Sequence, residues 1–284
     1  AKIIAITGSN GKTSCKTILG NLLNNFGNTY FSPKSYNNHF GVPISLSNLN
    51  HNHQFGVFEI GMSNKGEIDK LSKIVKPDIA IITNIAEAHI QNFKNLRDIA
   101  KAKGEIINNI NEKGLLIINR DDSFFNYFNK LAKKRQIRVL SFGSKRNSNI
   151  WPVSIKRLKK YKQVKIQLMN KKIIININEI NINNILISLL VMSELNLNYE
   201  KVINLFPSLS PLKGRGRIHT INRFGKNFKL IDESYNANPF SVKNSIINLF
   251  QIKKKNFKKY LLLSDMLELG KKSDFYHKKL SQII

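Results

Sequence analysis

The residues best suited to chemistry lie in the segment IIAITGSNGKT, residues 3–13, where a glycine-flanked turn follows an apolar run. The turn delivers Lys12 and Thr13 to the start of a predicted helix over residues 12–26. Backbone N–H groups in such a turn converge on phosphate oxygens, and the helix N-terminus adds partial positive charge. The lysine would reach the outer phosphates of a nucleotide, and the threonine hydroxyl would bind the accompanying magnesium ion. The predicted nucleotide-binding residues are Gly8, Ser9, Asn10, Gly11, Lys12, Thr13 and Ser14.

The spacing of this loop is shorter than that of the usual phosphate loop, which has a glycine, four residues and then Gly-Lys-Ser/Thr. Ile6 stands where the first glycine is expected, and the nearest upstream glycine is Gly8. The loop is therefore a contracted variant, and its alternative is an ordinary strand-to-helix turn.

Two further polar positions follow predicted strands. Glu59 closes the run 55–60, and its carboxylate could hold magnesium through oxygen. The segment TNIAEAH, residues 83–89, ends on His89, which is as readily a structural residue as a ligand. Because ligands bind beyond the carboxyl ends of the strands in an open parallel sheet, both positions belong to the region of the phosphate loop. The alternative for Glu59 is a solvated charge at a strand end.

Several later residues carry weaker signals. Lys103, in AKAKGEI, by itself indicates a solvated helix charge, and Asn181 and Asn184 open a helix, where capping is the ordinary role. Arg217 could place a guanidinium group on a terminal phosphate. The last polar group closes a second predicted strand and comprises Asp232, Glu233 and the turn SYNANP at 234–239.

The elements that would position these residues alternate between strand and helix over residues 1–145. This rhythm predicts an α/β fold with a doubly wound, mostly parallel sheet. The predicted strands are 3–7, 55–60, 79–83, 115–119 and 139–142, and the predicted helices are 12–26, 65–75, 96–110 and 124–134. Residues 151–178 predict two or three antiparallel strands on an edge of the same sheet, and helices at 182–195 and 199–206 follow.

A stretch rich in proline and glycine, residues 207–216, is the best linker candidate. A second strand–helix pattern follows it. Its predicted strands are 217–221, 229–232 and 260–264, and its predicted helices start at 240 and 274. We therefore expect one domain at 1–211 and a second at 212–284 that is truncated within its last helix.

Composition limits the partners. The chain has 284 residues, and 46 Lys and Arg against 18 Asp and Glu give a formal charge of +28. The lysine clusters, including 253–255, are short and scattered and lack the interleaved aromatics of a single-strand groove, so compositional drift is favoured over a nucleic-acid partner. No apolar run approaches the roughly 18 residues that span a bilayer. The single cysteine, Cys15, fits a reducing compartment such as the cytoplasm.

The motifs, in their order along the chain, resemble those of the Mur ligase family. They are GSNGKT, YNNHFGVP at 36–43, FEIGMSNKGEI, TNIAEAH, AKAKGEI, the N-x-x-N pair, GRGR, SYNANP and DMLELG at 265–270. The phosphate loop and the N-x-x-N pair are shared with folylpolyglutamate synthases. YNNHFGVP, SYNANP and DMLELG point to the branch that adds D-alanyl-D-alanine to UDP-N-acetylmuramoyl-tripeptide.

The resemblance implies a central ATP-binding domain at 1–211 and the first part of a Rossmann-like C-terminal domain at 212–284, with the N-terminal UDP-sugar domain absent. It implies ATP-dependent amide bond formation through an acyl phosphate in peptidoglycan synthesis, with ATP and Mg²⁺ as cofactors. The implied protein is a cytoplasmic monomer that takes UDP-N-acetylmuramoyl-tripeptide and D-alanyl-D-alanine and neither binds nucleic acid nor inserts into a membrane.

The resemblance also implies residue roles. Lys12 holds the ATP phosphates, and Thr13 and Glu59 hold one magnesium ion. His89 helps to bind a second magnesium, and Lys103 matches a lysine that carries a carbamate in several members. The remaining nucleotide residues are Asn181, Asn184, Arg217, Asp232, Glu233 and Asn236, and the substrate residues are Asn37, Asn38 and Tyr235.

The sequence departs from the family pattern at two places. Glu233 stands where the family commonly has Asp, and Ile180 replaces the His that often precedes the first Asn of N-x-x-N. Three alternatives stay open: another Mur-type or folylpolyglutamate-type ligase, a nucleotide-binding remnant without activity, and a nucleic-acid-stimulated ATPase.

Overall fold

A computed structural model describes residues 1–252 and 258–284, so the lysine cluster 253–255 lies outside the described residues. The chain divides into two compact units. The first comprises Ala1–Ile85 and Arg97–Ser210, and the second comprises Ala86–Leu96 and Pro211–Ile284. In the part of the chain that is described, no helix has both the length and the apolar character needed to cross a membrane.

The first unit is built on a nine-stranded sheet. Its strands are β1 Lys2–Thr7, β2 Thr29–Phe31, β3 Phe55–Glu59, β4 Ile79–Ile82, β5 Leu115–Asn119, β6 Arg138–Phe142, β7 Ile150–Arg157, β8 Lys162–Leu168 and β9 Lys171–Ile177. They lie in the order β2-β3-β1-β4-β5-β6-β7-β8-β9. The pairs from β2 to β7 are parallel, whereas β7, β8 and β9 form an antiparallel edge. The predicted fold class is confirmed.

Seven helices connect or cover these strands. They are α1 Lys12–Leu23, α2 Gly41–Ser47, α3 Glu67–Val75, α4 Leu96–Gly104, α5 Phe125–Lys134, α6 Ile182–Glu194 and α7 Glu200–Ile203. The predicted helix 96–110 tightens after Gly104 into a 3₁₀ turn, Glu105–Asn109. The predicted helix 199–206 likewise gives α7 followed by a 3₁₀ turn, Phe206–Ser208.

The position of β1 decides where its loop lies. β1 pairs with β3 on one side and with β4 on the other, and Ile4 and Ile6 are completely buried. Strands covered on both faces read as continuous apolar runs, as β1 does. Leu19 of α1 and Leu190 of α6 belong to the same buried cluster as β1. Because the three strands are parallel, the segments that follow them leave from the same edge of the sheet.

The described residues of the second unit form a hairpin, two α-helices and a small core. The hairpin joins β10 Arg217–Arg223 to β11 Lys226–Asp232, and the helices are α8 Pro239–Gln251 and α9 Ser273–Leu280. Short 3₁₀ turns lie at Ile90–Asn92 and Gly270–Lys272. The buried side chains of the core are Ile90, Ile246, Met266, Leu269 and Leu280.

The structure corrects two predictions for this unit. The first two strands pair as an antiparallel hairpin and not as strand–helix units. The strand predicted at 260–264 does not form, and Tyr260 and Leu262 are 83% and 99% exposed. An apolar run becomes a stable strand only when a neighbour accepts its backbone hydrogen bonds and covers its side chains. β10 and β11 pair only with each other among the described strands of this unit, so residues 260–264 gain neither.

Candidate active site

The loop between β1 and α1 depends on two glycines. Gly8 has φ +146° and Gly11 has φ +83°, and side-chain-bearing residues rarely adopt such values. A Cβ atom at Gly8 would lie 1.9 Å from Oγ1 of Thr83, whereas one at Gly11 would meet nothing within 4 Å. The loop after β1 therefore passes directly against the end of β4.

The segment after β4 braces this loop. The N–H groups of Ser9 and Asn10 donate to the carbonyl and the side-chain oxygen of Asn84, both at 2.9 Å. The Thr83 hydroxyl donates to the Asn10 carbonyl at 2.6 Å. Lys12 folds back so that its ammonium group donates to the Gly8 carbonyl at 2.9 Å. The cation is thus held at the loop itself.

Glu59, the last residue of β3, is 1% exposed and is not a solvated charge. Its Oε1 accepts a hydrogen bond of 2.7 Å from the side-chain amide of Asn37, one of the two predicted substrate residues of the segment 36–43. Its Oε2 lies 3.5 Å from Nζ of Lys16, and its N–H donates to the hydroxyl of Ser32. The structure thus brings the end of β3, α1 and the segment 32–38 together.

Sequence reasoning missed Lys16. This lysine of α1 is 1% exposed, and its ammonium group donates to the carbonyl of Lys34 as well as facing Glu59. The neighbouring residue Thr13 is also buried, and its hydroxyl lies 3.4 Å from that of Ser35. The available signal was the position of Lys16 one helical turn after Lys12, between residues that face the core.

Lys103 is likewise buried, on α4, at 1% exposure. Burial, with a smaller contribution from the charge of Lys12, holds the pKa of the Lys103 ammonium well below its usual range. Lys103 is therefore not a solvated helix charge. In the same motif, the Glu105 carboxylate accepts from the N–H groups of Gly66 and Asp69 at 2.8 and 3.2 Å, and so fixes the start of α3.

Four other predicted residues of the first unit lie at or near the starts of helices. Asn38 lies two residues before the N-cap of α2, and its side-chain oxygen accepts from the N–H of Gly41, the first residue of that helix, at 2.9 Å. Asn181 caps α6 by accepting from the N–H of Asn183 at 2.9 Å. Asn184 is buried in the first turn of α6, and Ser14 is half-buried in the first turn of α1.

His89 lies in the second unit, with backbone φ +56°. Its Nδ1 is 2.5 Å from Oε2 of Glu268, a residue of the motif DMLELG. The backbone supports this pairing, because the Gln91 N–H donates to the Glu268 carbonyl at 3.1 Å. The structure thus gives His89 a carboxylate partner that the sequence did not suggest.

The GRGR and SYNANP motifs fold against each other in the second unit. Asp232 accepts from the hydroxyl of Ser234 at 2.6 Å and from the N–H of Gly214 at 3.0 Å, and these hydrogen bonds lower its pKa. Burial raises the pKa of Glu233. The Arg215 guanidinium lies 4.1 Å from the centre of the Tyr235 ring. The remaining predicted residues, Arg217 and Asn236, are exposed, and Arg217 is the register partner of Asp232.

The first unit offers oxygen donors for a metal ion, but few of them. No group of three or more His, Cys, Asp or Glu side chains capable of holding a metal occurs among residues 1–252 and 258–284. Glu59 and Thr13 supply hard oxygen donors, and magnesium commonly takes one or two protein oxygens and fills its other positions with water and phosphate. The residues fit an ion that arrives with a nucleotide, not an ion held by an all-protein cage.

The comparisons with known proteins agree on one family. The family described as the Mur ligase middle domain matches residues 6–192. The UDP-N-acetylmuramoyl-tripeptide--D-alanyl-D-alanine ligase of Buchnera aphidicola (subspecies Baizongia pistaciae) is 33% identical over 287 residues, which cover 100% of this chain and 61% of that protein.

Two solved structures are similar over nearly the whole chain. A crystal structure of MurF from Acinetobacter baumannii has a TM-score of 0.89 and 30% identity, and the match covers 98% of this chain and 60% of that one. The MurF ligase from Thermotoga maritima in complex with ADP has a TM-score of 0.86 and 26% identity, and the match covers 99% and 64%. The chain spans about 60% of the length of the relatives it matches.

Proposed function

This chain belongs to the Mur ligase family, and from that membership we propose that it carries the ATP-binding part of a ligase that adds D-alanyl-D-alanine to UDP-N-acetylmuramoyl-tripeptide. The observation that carries the proposal is the contracted loop 8–13, braced by Thr83 and Asn84, in a unit where the carboxylate of Glu59 is buried at the end of β3. The named activity of the similar proteins supplies the substrates.

The proposed roles follow the sequence motifs. The loop 8–14 and Lys12 bind the phosphates of ATP, and Thr13 and Glu59 hold Mg²⁺. His89 contributes to a second magnesium ion, and the neutral amine of Lys103 is the form that can react with CO₂ to give the family's carbamate. The proposed nucleotide contacts are Asn181, Asn184, Arg217, Asp232, Glu233 and Asn236, and the proposed substrate contacts are Asn37, Asn38 and Tyr235.

The chemistry accounts for these residue types. A carboxylate oxygen of the tripeptide attacks the γ-phosphorus of ATP, ADP leaves with the electron pair of the broken bond, and an acyl phosphate forms. The amine of D-alanyl-D-alanine then attacks the acyl carbon, loses a proton, and phosphate leaves. Both steps concentrate negative charge, so the cations of Lys12 and Arg217 stabilise them. Bound Mg²⁺ would supply further charge neutralisation on the phosphate oxygens.

The domain assignment and the setting belong to the same proposal. In the order of the sequence, residues 1–211 are the central ATP-binding domain, and 212–284 are the N-terminal part of the C-terminal domain. The short segment Ala86–Leu96 lies within the first range but packs in the second compact unit. The protein works as a monomer in the cytoplasm, where ATP and UDP-linked substrates occur, with no nucleic-acid partner and no membrane insertion.

The test measures phosphate release and product mass. The whole gene product should release phosphate only when ATP, UDP-N-acetylmuramoyl-tripeptide and D-alanyl-D-alanine are all present, and the product should contain the added dipeptide. Lys12→Ala should abolish both signals. Release that requires DNA or RNA instead would favour the nucleic-acid-stimulated ATPase, and a wild type that binds ATP without turnover would favour the remnant.

A further inference from the structure

We propose that Lys16 is a positioning residue for this reaction: it joins the phosphate-loop helix to Glu59 and to the segment 32–38, and thereby sets how the Glu59 carboxylate meets a bound Mg²⁺–nucleotide. The inference rests on the proposed function, because it takes Glu59 as the residue that holds the metal.

The position of Lys16 makes its charge costly. It lies in α1 one turn beyond Lys12, and its side chain is 1% exposed. Taking an ammonium group out of water is expensive unless a charged or hydrogen-bonding partner compensates it. An apolar side chain of similar volume would fill the same space without that cost. The buried ammonium group of Lys16 must therefore be compensated by the groups around it.

The compensating group is the carboxylate of Glu59, which Lys16 shares with Asn37. Lys16 approaches Oε2 of Glu59 at 3.5 Å, and the side-chain amide of Asn37 donates to Oε1 at 2.7 Å. Each carboxylate oxygen of Glu59 thus has a partner from a different segment, Oε2 from α1 and Oε1 from the segment 32–38. Two partners on two oxygens fix the plane of the carboxylate. Lys16 also donates to the carbonyl of Lys34, and the Gly61 N–H donates to the carbonyl of Asn37 at 2.8 Å.

This network couples three segments that the sequence separates. α1 starts at the phosphate loop, β3 ends at Glu59, and the segment 32–38 carries Asn37. Loss of the Lys16 ammonium group would remove the partner of Oε2, so the carboxylate could rotate about its contact with Asn37, and would remove the hydrogen bond to the carbonyl of Lys34. Side chains that orient a metal ligand commonly change metal affinity by about 10- to 100-fold when they are removed.

The experiment follows nucleotide binding by calorimetry as a function of Mg²⁺ concentration. Lys16→Met should raise the Mg²⁺ concentration for half-maximal binding by about tenfold or more. Lys73→Met, the same chemical change at an exposed helical lysine, should leave it unchanged. Combining Lys16→Met with Glu59→Gln should add little to Glu59→Gln alone, because both changes disable one ligand.

Several outcomes overturn the inference. If Lys16→Met lowers the stability but leaves the Mg²⁺ concentration for half-maximal binding unchanged, Lys16 has a structural role only. Fully additive effects in the double variant would also overturn it. If Lys16→Met does not fold, Lys16→Arg decides, because it keeps the charge but displaces the carboxylate, and it should raise the Mg²⁺ requirement by a smaller factor. A wild type that binds no Mg²⁺–ATP would remove the proposed function as well, whereas the other outcomes remove only the role of Lys16.

Discussion

Two glycines of the phosphate loop are required for different physical reasons. At Gly8 both the backbone conformation and the space exclude a side chain, because Oγ1 of Thr83 would lie 1.9 Å from a Cβ atom. Thr83 cannot easily yield, since its hydroxyl donates to the Asn10 carbonyl. At Gly11 only the conformation is at issue. A side chain at Gly8 would therefore cause both steric and backbone strain, whereas one at Gly11 would cause backbone strain alone.

Gly8→Ala should therefore lower the free energy of unfolding by about 3 kcal/mol, because backbone strain and overpacking add. Gly11→Ala should cost about 1–2 kcal/mol, which is the strain of a left-handed backbone alone. Urea unfolding followed by circular dichroism measures both changes. Equal losses in the two variants would contradict the steric role of Thr83.

Lys103 should give the stability of the protein a pH dependence. Its pKa is lowered by burial in the folded state, so the unfolded chain binds one more proton at every pH between the lowered pKa and about 10.4. The free energy of unfolding should therefore rise with pH across that window. Lys103→Met lacks this term, so its stability relative to wild type should be greatest below the window and should decline as the pH rises.

Urea unfolding at a series of pH values, in buffers freed of CO₂ so that no carbamate forms, measures this difference. Lys101→Met, two residues away at an exposed position, is the matched control for the loss of a lysine side chain from α4. A constant difference between wild type and Lys103→Met would mean that the ammonium group stays charged in the folded protein.

At the scale of elements, the start of α6 combines a structural and a proposed binding role. The side chain of Asn181 caps the helix through the N–H of Asn183. Asn181→Asp should keep the cap and the stability, whereas Asn181→Ala should lower the free energy of unfolding by about 1 kcal/mol. Both variants should weaken ADP binding, because both remove the amide proposed to contact the nucleotide.

Calorimetric titration with ADP and urea unfolding separate the two roles. If Asn181→Asp binds ADP with unchanged affinity, Asn181 caps α6 and does not contact the nucleotide. Asn198→Asp is the same change at an exposed asparagine that accepts from the N–H of Glu200, and as the control it should alter neither the ADP affinity nor the stability.

Elements with a long apolar period could be predicted from the sequence, and short or partner-dependent ones could not. β1, β3, β4 and β5 lie within one or two residues of their predicted bounds. β2 has three residues, and α2 contains glycine and proline, so neither has a period long enough to detect. The run 260–264 has a strand-like composition, but a strand also needs a neighbour, which composition does not report. Glu59 could be predicted as a candidate from its place at a strand end. The sequence shows only that Lys16 lies one helical turn after Lys12, and its pairing with Glu59 is a tertiary contact that the sequence does not report.

Summed over the 284 residues of this chain, the formal charge of +28 should assist the capture of anions. The association rate constant of ADP should fall by about tenfold between low salt and 0.5 M salt, because mobile ions screen the field. The dissociation rate constant should change less. Stopped-flow measurements with ADP test this, and adenosine, which carries no charge, is the control ligand. If salt lowers the association rate constant of adenosine by the same factor, salt acts on the protein itself and not by screening its electrostatic field.

The second unit is not continuous in the chain. Residues Ala86–Leu96 belong to it, although the segments on either side belong to the first unit, so the chain passes between the units three times. Recombination with a related gene by a single crossover at 210/211 would therefore exchange Glu268 and Leu269 but keep the old His89 and Ile90, which contact them. In such chimaeras the core of the second unit should combine residues from two different proteins, unless the eleven residues Ala86–Leu96 are exchanged as well.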